Sequence, residues 1–330
     1  MATMKDIANF AKVSTSTVSH VINNDRYVSP TVREKVELAI KQLNYTPSAI
    51  ARSLKSNKTF TIGMIVTTSN NPFFSEVVLG VERSCYELGY NLILCQTEGD
   101  HQRMLDHIEH LLQKRVDGLL AMCSETQSIP KQIFLKYPKL AIVMMDWTPF
   151  SGICDTIKDN SLYGATLATN YLIEQNYKRI ACITGPSNNT QAQLRLQGYR
   201  NALKAANIAI FADYEAHGNF QFSSGVVAMQ QLLDLPITPE AVFCFNDAMA
   251  IGAYQTLYQN GLEAGKDIAI IGYDDIEIAQ YMTPSLTTIH QPKEELGQLA
   301  VETLLNRIQN PKELPHMLTL TPTLVKRFSA

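Results

Sequence analysis

The chain has 330 residues, of which 45% are apolar and 18% charged, a length about two to three times that of a usual domain and a composition that excludes a disordered or fibrous chain. A charged opening (Met1-Ala2-Thr3-Met4-Lys5-Asp6) and the lack of any apolar run long enough to span a bilayer argue against secretion and membrane insertion, so a cytoplasmic protein is expected. The net charge of -3 divides unevenly: residues 1–60 carry nine Lys/Arg against four Asp/Glu and residues 61–330 carry 19 against 27, a basic head on an acidic body that suits a polyanionic partner.

In chain order, Met4, Ile7, Ala8 and Ala11 form one helix face, with Thr3 and Asp6 spaced as a capping pair. After a break at Lys12-Val13, Ser14 can cap a helix over 15–23 that turns Val18, Val21 and Ile22 inward and Thr15, Ser16, Ser19 and His20 outward. Ser29-Pro30 opens a third helix with the stripe Val32, Val36, Ala39, Ile40 and Leu43. Pro47 interrupts the chain, and 48–55 is a helix of about two turns, marginal without a partner. From Thr59 onward short apolar runs (61–66, 91–95, 118–122, 141–145, 179–183, 241–243 and 268–272) alternate with helical patterns such as 75–88 and 161–174, the pattern of parallel sheets covered by helices. Two α/β lobes are expected, dividing near Asp159 and again near Gln291.

A helix, a tight turn and a second helix that starts with small polar side chains is the arrangement that lays a recognition helix in the DNA major groove. Thr15 and Ser16, with His20 one turn on, could read base edges, and Thr17, Ser19, Asn23 and Arg26 could hold phosphates. An ordinary three-helix bundle with a polar face fits the same pattern. The stretches Lys5-Asp6-Ile7-Ala8, 13–23, Leu43-Asn44-Tyr45 and 47–55 resemble the headpiece of the LacI/GalR family of bacterial repressors. That resemblance implies a DNA-binding headpiece over 1–58 whose 48–55 segment becomes a hinge helix in the minor groove, where Ala51 and Lys55 flank Leu54 and Leu54 wedges into a base step. Without the headpiece, Ile50 and Leu54 would read as a docking stripe.

In the acidic body, chemistry gathers at the ends of strands: Asn70-Asn71-Pro72-Phe73-Phe74, Asp146-Trp147, Asn246-Asp247 and Gly272-Tyr273-Asp274-Asp275. Carboxylates and amides pair with hydroxyls while rings pack on the C–H faces of a sugar. Singly, Asn246 and Asp274 could cap helices, and Phe73 and Phe74 could be core. Together they are similar to the pocket of periplasmic ribose-binding proteins. This second resemblance implies that Asn71, Phe73 and Phe74 form one wall, Asp146 and Arg195 bind hydroxyls, Phe220 stacks, and Asn246, Asp274 and Gln291 complete the ring. Trp147 departs from the pattern by replacing an arginine donor with an aromatic wall.

The implied body (59–330) has periplasmic-binding-protein-like lobes, one of about 59–159 plus 291–321 and the other of about 160–290 plus 322–330. The chain is expected to be a homodimeric repressor on a near-palindromic operator, with ribose or a close derivative as inducer and no cofactor. Asn70-Asn71-Pro72-Phe73-Phe74, 96–100 and 246–250 favour the ribose branch of the family. The rival is a purine corepressor, suggested by Met145-Asp146-Trp147, which would act with the opposite sign. An enzyme is a third reading, but no nucleophile motif or phosphate loop is present, and Asp274-Asp275 are neighbours that point apart after a strand. His101, His107 and His110 lack the partners of a metal site, and the six separated cysteines read as buried apolar residues.

Overall fold

The computed structural model describes residues 2–46, 58–68, 71–123, 133, 136–145 and 153–330. These fall into two compact units, 1–59 and 60–330.

The first unit is helical: α1 (Met4–Ala11), α2 (Thr15–Asn23) and α3 (Pro30–Gln42). The Thr3 side chain accepts from the Asp6 amide while Asp6 accepts from the Thr3 amide at 2.8 Å, a closed capping box. Lys12 takes φ 55°, so the chain leaves α1 through a left-handed residue and turns sharply into α2, whose first turn Ser14 caps through the Thr17 amide at 3.1 Å. Ser29 departs from expectation: it precedes Pro30 but its side chain makes no capping bond, and its carbonyl instead accepts from Val32 and Arg33. Ile7, Ala8, Ala11, Val18, Val21, Val36 and Ala39 form the unit's own small core.

The second unit is built on two six-stranded sheets. One contains β1 (Thr61–Val66), β2 (Asn91–Gln96), β3 (Gly118–Met122), β4 (Ala141–Met145), β5 (Asp155–Asp159) and β11 (Met317–Leu320), in the order β11-β5-β4-β3-β1-β2. The other contains β6 (Ile180–Thr184), β7 (Glu215–His217), β8 (Ala241–Cys244), β9 (Ala269–Asp274), β10 (Thr287–His290) and β12 (Thr323–Val325), in the order β12-β10-β9-β8-β6-β7. Every pairing is parallel except β10 with β12. Central strands such as β3, β4, β6 and β8 are buried along their whole length, as a sheet covered on both faces requires.

The helices are α4 (Pro72–Glu87), α5 (His101–Gln113), α6 (Ser161–Glu174), α7 (Thr190–Ala205), α8 (Phe222–Leu233), α9 (Asp247–Gln259) and α10 (Lys293–Gln309). α10 packs on α4 in lobe one, and α6 on α7 in lobe two. The chain therefore crosses between the lobes three times: from β5 to α6, from β10 to α10, and from β11 to β12. α8 and α9 cross closely enough to need glycine, since a Cβ on Gly225 would lie 2.1 Å from the Met249 carbonyl oxygen, and one on Gly252 equally close to that of Phe222.

Candidate functional site

In the headpiece, Thr15 and Ser16 are exposed at the start of α2. The other expected DNA contacts carry partners of their own: Thr17 bonds the Ser14 hydroxyl at 2.9 Å, the Asn23 amide donates to the Ser19 hydroxyl at 3.1 Å, and His20 Nδ1 lies 2.6 Å from Asp25. Arg26 is exposed in the loop after α2, where Tyr27 and Arg33 join it around a shallow hollow. Tyr27 is 89% exposed, and Arg33 donates to Asn24 at 2.9 Å. Sequence reasoning missed these two, although an exposed tyrosine between basic residues was there to be noticed. The hinge expectations Ala51, Leu54 and Lys55 lie outside the described residues.

In the body, sheet order places the crevice. In lobe two β6 sits between β8 and β7, so successive connections leave it in opposite directions and open a cleft at its carboxyl end. Around that end gather Phe220, Arg195 from α7, and the residues that close β8, β9 and β10: Phe245-Asn246, Tyr273-Asp274 and Gln291. Arg195 is 4% exposed. Its guanidinium donates to the Phe245 carbonyl and, at 3.3 Å, to the Ser161 hydroxyl, lies 3.9 Å from Asp274 Oδ1, and stacks 3.6 Å above the Tyr273 ring. The Phe220 ring lies 6.0 Å from the same guanidinium and against Gly185, where any Cβ would meet it at 2.3 Å. Phe220 itself holds φ 68°, a conformation fixed by the Asn246 amide, which donates to its carbonyl at 3.0 Å.

Asp274 accepts from Gln291 Nε2 at 2.8 Å. Burial pushes its carboxyl up to about 7, against the opposing pull of Arg195, Lys293 and the Gln291 hydrogen bond. Neighbouring Asp275 points elsewhere, to His290 at 2.9 Å and Arg327 at 2.7 Å, and although burial opposes it, those partners hold it below the usual carboxylate range. Asp247, fully buried, is raised by burial and by the charge of Asp274 while it accepts from Thr288 and the Ile276 amide. Tyr273 donates to Asp159 at 2.6 Å, and Asp159 accepts from Ser161 at 2.8 Å, so the first crossing between lobes is wired to the support of Arg195.

Three expected pocket residues have structural work. Asn71 Oδ1 accepts from the Phe73 amide at 3.0 Å and Asn246 Oδ1 from the Met249 amide at 2.9 Å, so both amides cap helices. Phe73 is 5% exposed and belongs to the core, with Phe74 half-buried against it, edge on at 5.6 Å. The helix begins at Pro72 rather than at residue 75, because Asn71 caps it and proline suits its first turn. Asp146 and Trp147 lie outside the described residues. The structure thus brings together Arg195, Phe220, Asn246, Asp274 and Gln291, and adds Tyr273, Ser161 and Asp159, which sequence reasoning did not assign to the site because the bonds joining Ser161 to Arg195 and Tyr273 to Asp159 link residues far apart in the chain. No cluster able to hold a metal ion occurs among the described residues; His107 Nε2–H donates to the Gln96 carbonyl at 3.0 Å, which anchors the helix to β2.

Residues 3–48 match the family described as bacterial regulatory proteins, lacI family, and residues 169–330 match the periplasmic binding protein-like domain. The chain is 60% identical over 330 residues to the ribose operon repressor of Escherichia coli K12, covering 100% of both chains. It is 48% identical over 327 residues to the HTH-type transcriptional repressor PurR of Vibrio campbellii, covering 99% of this chain and 98% of that one. Among solved structures, the lac repressor dimer bound to operator and the anti-inducer ONPF is similar at a TM-score of 0.89 and 30% identity, covering 99% of this chain and 98% of that one. A LacI family transcriptional regulator from Enterococcus faecium with bound ribose is similar at 0.73 and 30%, covering 82% and 98%.

Proposed function

The chain belongs to the LacI family of bacterial regulatory proteins, and on that premise we propose that it represses genes of ribose uptake and catabolism, gripping a near-palindromic operator as a homodimer and letting go when ribose or a close derivative binds between the lobes. It is a DNA-binding regulator and not an enzyme, as its close relatives are. Such a protein works in the cytoplasm; no helix among the described residues is long and apolar enough to cross a membrane. The observation that carries the ribose reading is the full-length match to a ribose operon repressor.

The site chemistry supports it. A sugar hydroxyl donates to the Asp274 carboxylate and accepts from Arg195 or Gln291, and the Phe220 ring offers an apolar face to the C–H side of the ring. Asn71, Phe73 and Phe74 from lobe one and Asp146 and Trp147 after β4 complete the proposed wall. Thr15, Ser16 and His20 read bases, Thr17, Ser19, Asn23 and Arg26 meet phosphates, and Leu54, between Ala51 and Lys55, wedges into the minor groove. For a hundredfold change in operator affinity, the sugar must distinguish the two states by about 2.7 kcal/mol.

Calorimetry of the full chain against D-ribose, hypoxanthine and guanine, followed by operator release with whichever binds, tests this reading. Ribose uptake with loss of operator binding is expected; purine uptake with tighter operator binding would replace it with the corepressor. Leu54→Ala should weaken the operator complex and leave ribose affinity nearly intact, and equal operator retention in a gel shift would remove Leu54 from the wedge.

A further inference from the structure

Two charged groups, Lys293 and Glu76, meet beside the turn that carries Asp274. Lys293 opens α10 on the second crossing and is only 5% exposed. A buried ammonium needs partners, and the amino end of a helix is an unfavourable place for a cation, so its position calls for a reason other than helix stability. Its Nζ donates to the Asp274 carbonyl and to the Asp275 carbonyl, each at 2.6 Å, and lies 3.4 Å from Glu76 Oε2. The two carbonyls belong to residues with φ 112° and 54°, a conformation that non-glycine residues keep only when held from outside.

Glu76 stands on α4 in lobe one, and its other oxygen accepts from the Glu277 amide of lobe two at 2.9 Å. One carboxylate therefore touches both the lysine that holds the turn and the lobe two backbone just beyond it. Neutralising Asp275 does not require Lys293, because His290 and Arg327 already face that carboxylate.

We propose that Lys293 is a positioning residue for the effector site, fixing the Asp274-Asp275 turn so that the Asp274 carboxylate faces Arg195 and Gln291, and that its pair with Glu76 makes this placement depend on how lobe one meets lobe two. The proposal rests on the reading of Asp274 as an effector ligand. Lys293 itself need never touch the sugar: it sets the backbone from which Asp274 projects, and its charge favours the carboxylate that accepts hydroxyls.

The test uses the full-length chain as wild type, Lys293→Met, Lys293→Arg and Glu76→Gln. D-ribose affinity is measured by calorimetry from pH 5.5 to 8.5, and hydrogen exchange over 274–281 is measured without sugar. Lys293→Met is expected to weaken ribose binding at least tenfold, to move the pH midpoint of binding upward, and to speed exchange at the Glu277 amide, with Lys293→Arg recovering part of each. Glu76→Gln leaves an acceptor for Glu277 and removes only the charge, so it should fold even if Lys293→Met does not, and should weaken ribose binding at least threefold with faster exchange. A merely structural lysine would lower the melting temperature while leaving ribose affinity and midpoint unchanged; that result, with ribose bound by the wild type, overturns the proposal and leaves the effector reading standing. Should the wild type take up no ribose, the effector reading fails and exchange decides: unchanged rates in Lys293→Met and Glu76→Gln overturn the positioning role, and faster rates uphold it.

Discussion

Asp274 answers to two demands that pull its proton in opposite directions. Burial favours the neutral acid and, against Arg195, Lys293 and Gln291, pushes the carboxyl up to about 7, whereas the proposed recognition of sugar hydroxyls favours the carboxylate. Because this value lies above the ordinary 3.8, the folded chain binds the proton more tightly than the unfolded one. The stability drawn from the neutral acid is full below about pH 4 and is lost as pH rises through about 7. Asp274→Asn, locked neutral, should therefore melt above the wild type at pH 8 and lose that advantage at pH 5. Ribose affinity of the wild type should run the other way, falling from pH 8 to pH 6, and Asp274→Ala should lose the sugar response while keeping the operator. Asp274 could be named from the strand-end motif that carries it, and Arg195 and Gln291 only from the resemblance to periplasmic ribose-binding proteins. The capping duty of Asn246 was legible only as an alternative and that of Asn71 was not read at all, since a capping amide and a ligand amide have the same neighbours in the chain. Tyr273, Ser161, Asp159 and Lys293 were not legible as site residues, because their contacts, apart from the Ser161–Asp159 bond, join residues far apart in the chain.

At the scale of elements, what a helix needs is local, and this is why α1, α2 and α3 of the headpiece could be read from the sequence. Thr3 with Asp6, Ser14 before α2, and Pro30 at the start of α3 mark boundaries within a few residues of themselves. Thr3→Ala removes one half of the capping box and should cost the headpiece about 1 kcal/mol. A thermal melt should show this in the headpiece alone, whose core is its own, and the ratio of specific to non-specific DNA affinity should stay unchanged, because Thr3 lies outside the recognition helix. The long buried strands were equally plain. β5, β7, β10, β11 and β12 were not, since three to five residues with polar members give too short a period to stand out, and what makes them strands is their pairing with neighbours in the sheet.

For the whole molecule, the proposed homodimer fixes how DNA affinity is assembled. Two headpieces on two half-sites share one complex, so scrambling one half-site should cut affinity on the order of a hundredfold and lower the salt slope by about half, as read by gel shifts between 50 and 200 mM salt. The three crossings have a different consequence, which concerns synthesis. β11 adds the edge beside β5 in lobe one, and β12, a few residues later, adds the edge beside β10 in lobe two. Ser329, fully buried, then ties the end of the chain to Ile270 and Thr287. Lobe one lacks a strand until β11 is made and lobe two until β12 is made, while the headpiece, made before both, can fold early. A chain cut short before β11 would thus be a DNA reader joined to two unfinished lobes. The order of manufacture places the sensor's completion after the reader's, so translation through β12 becomes the gate through which every responsive copy must pass.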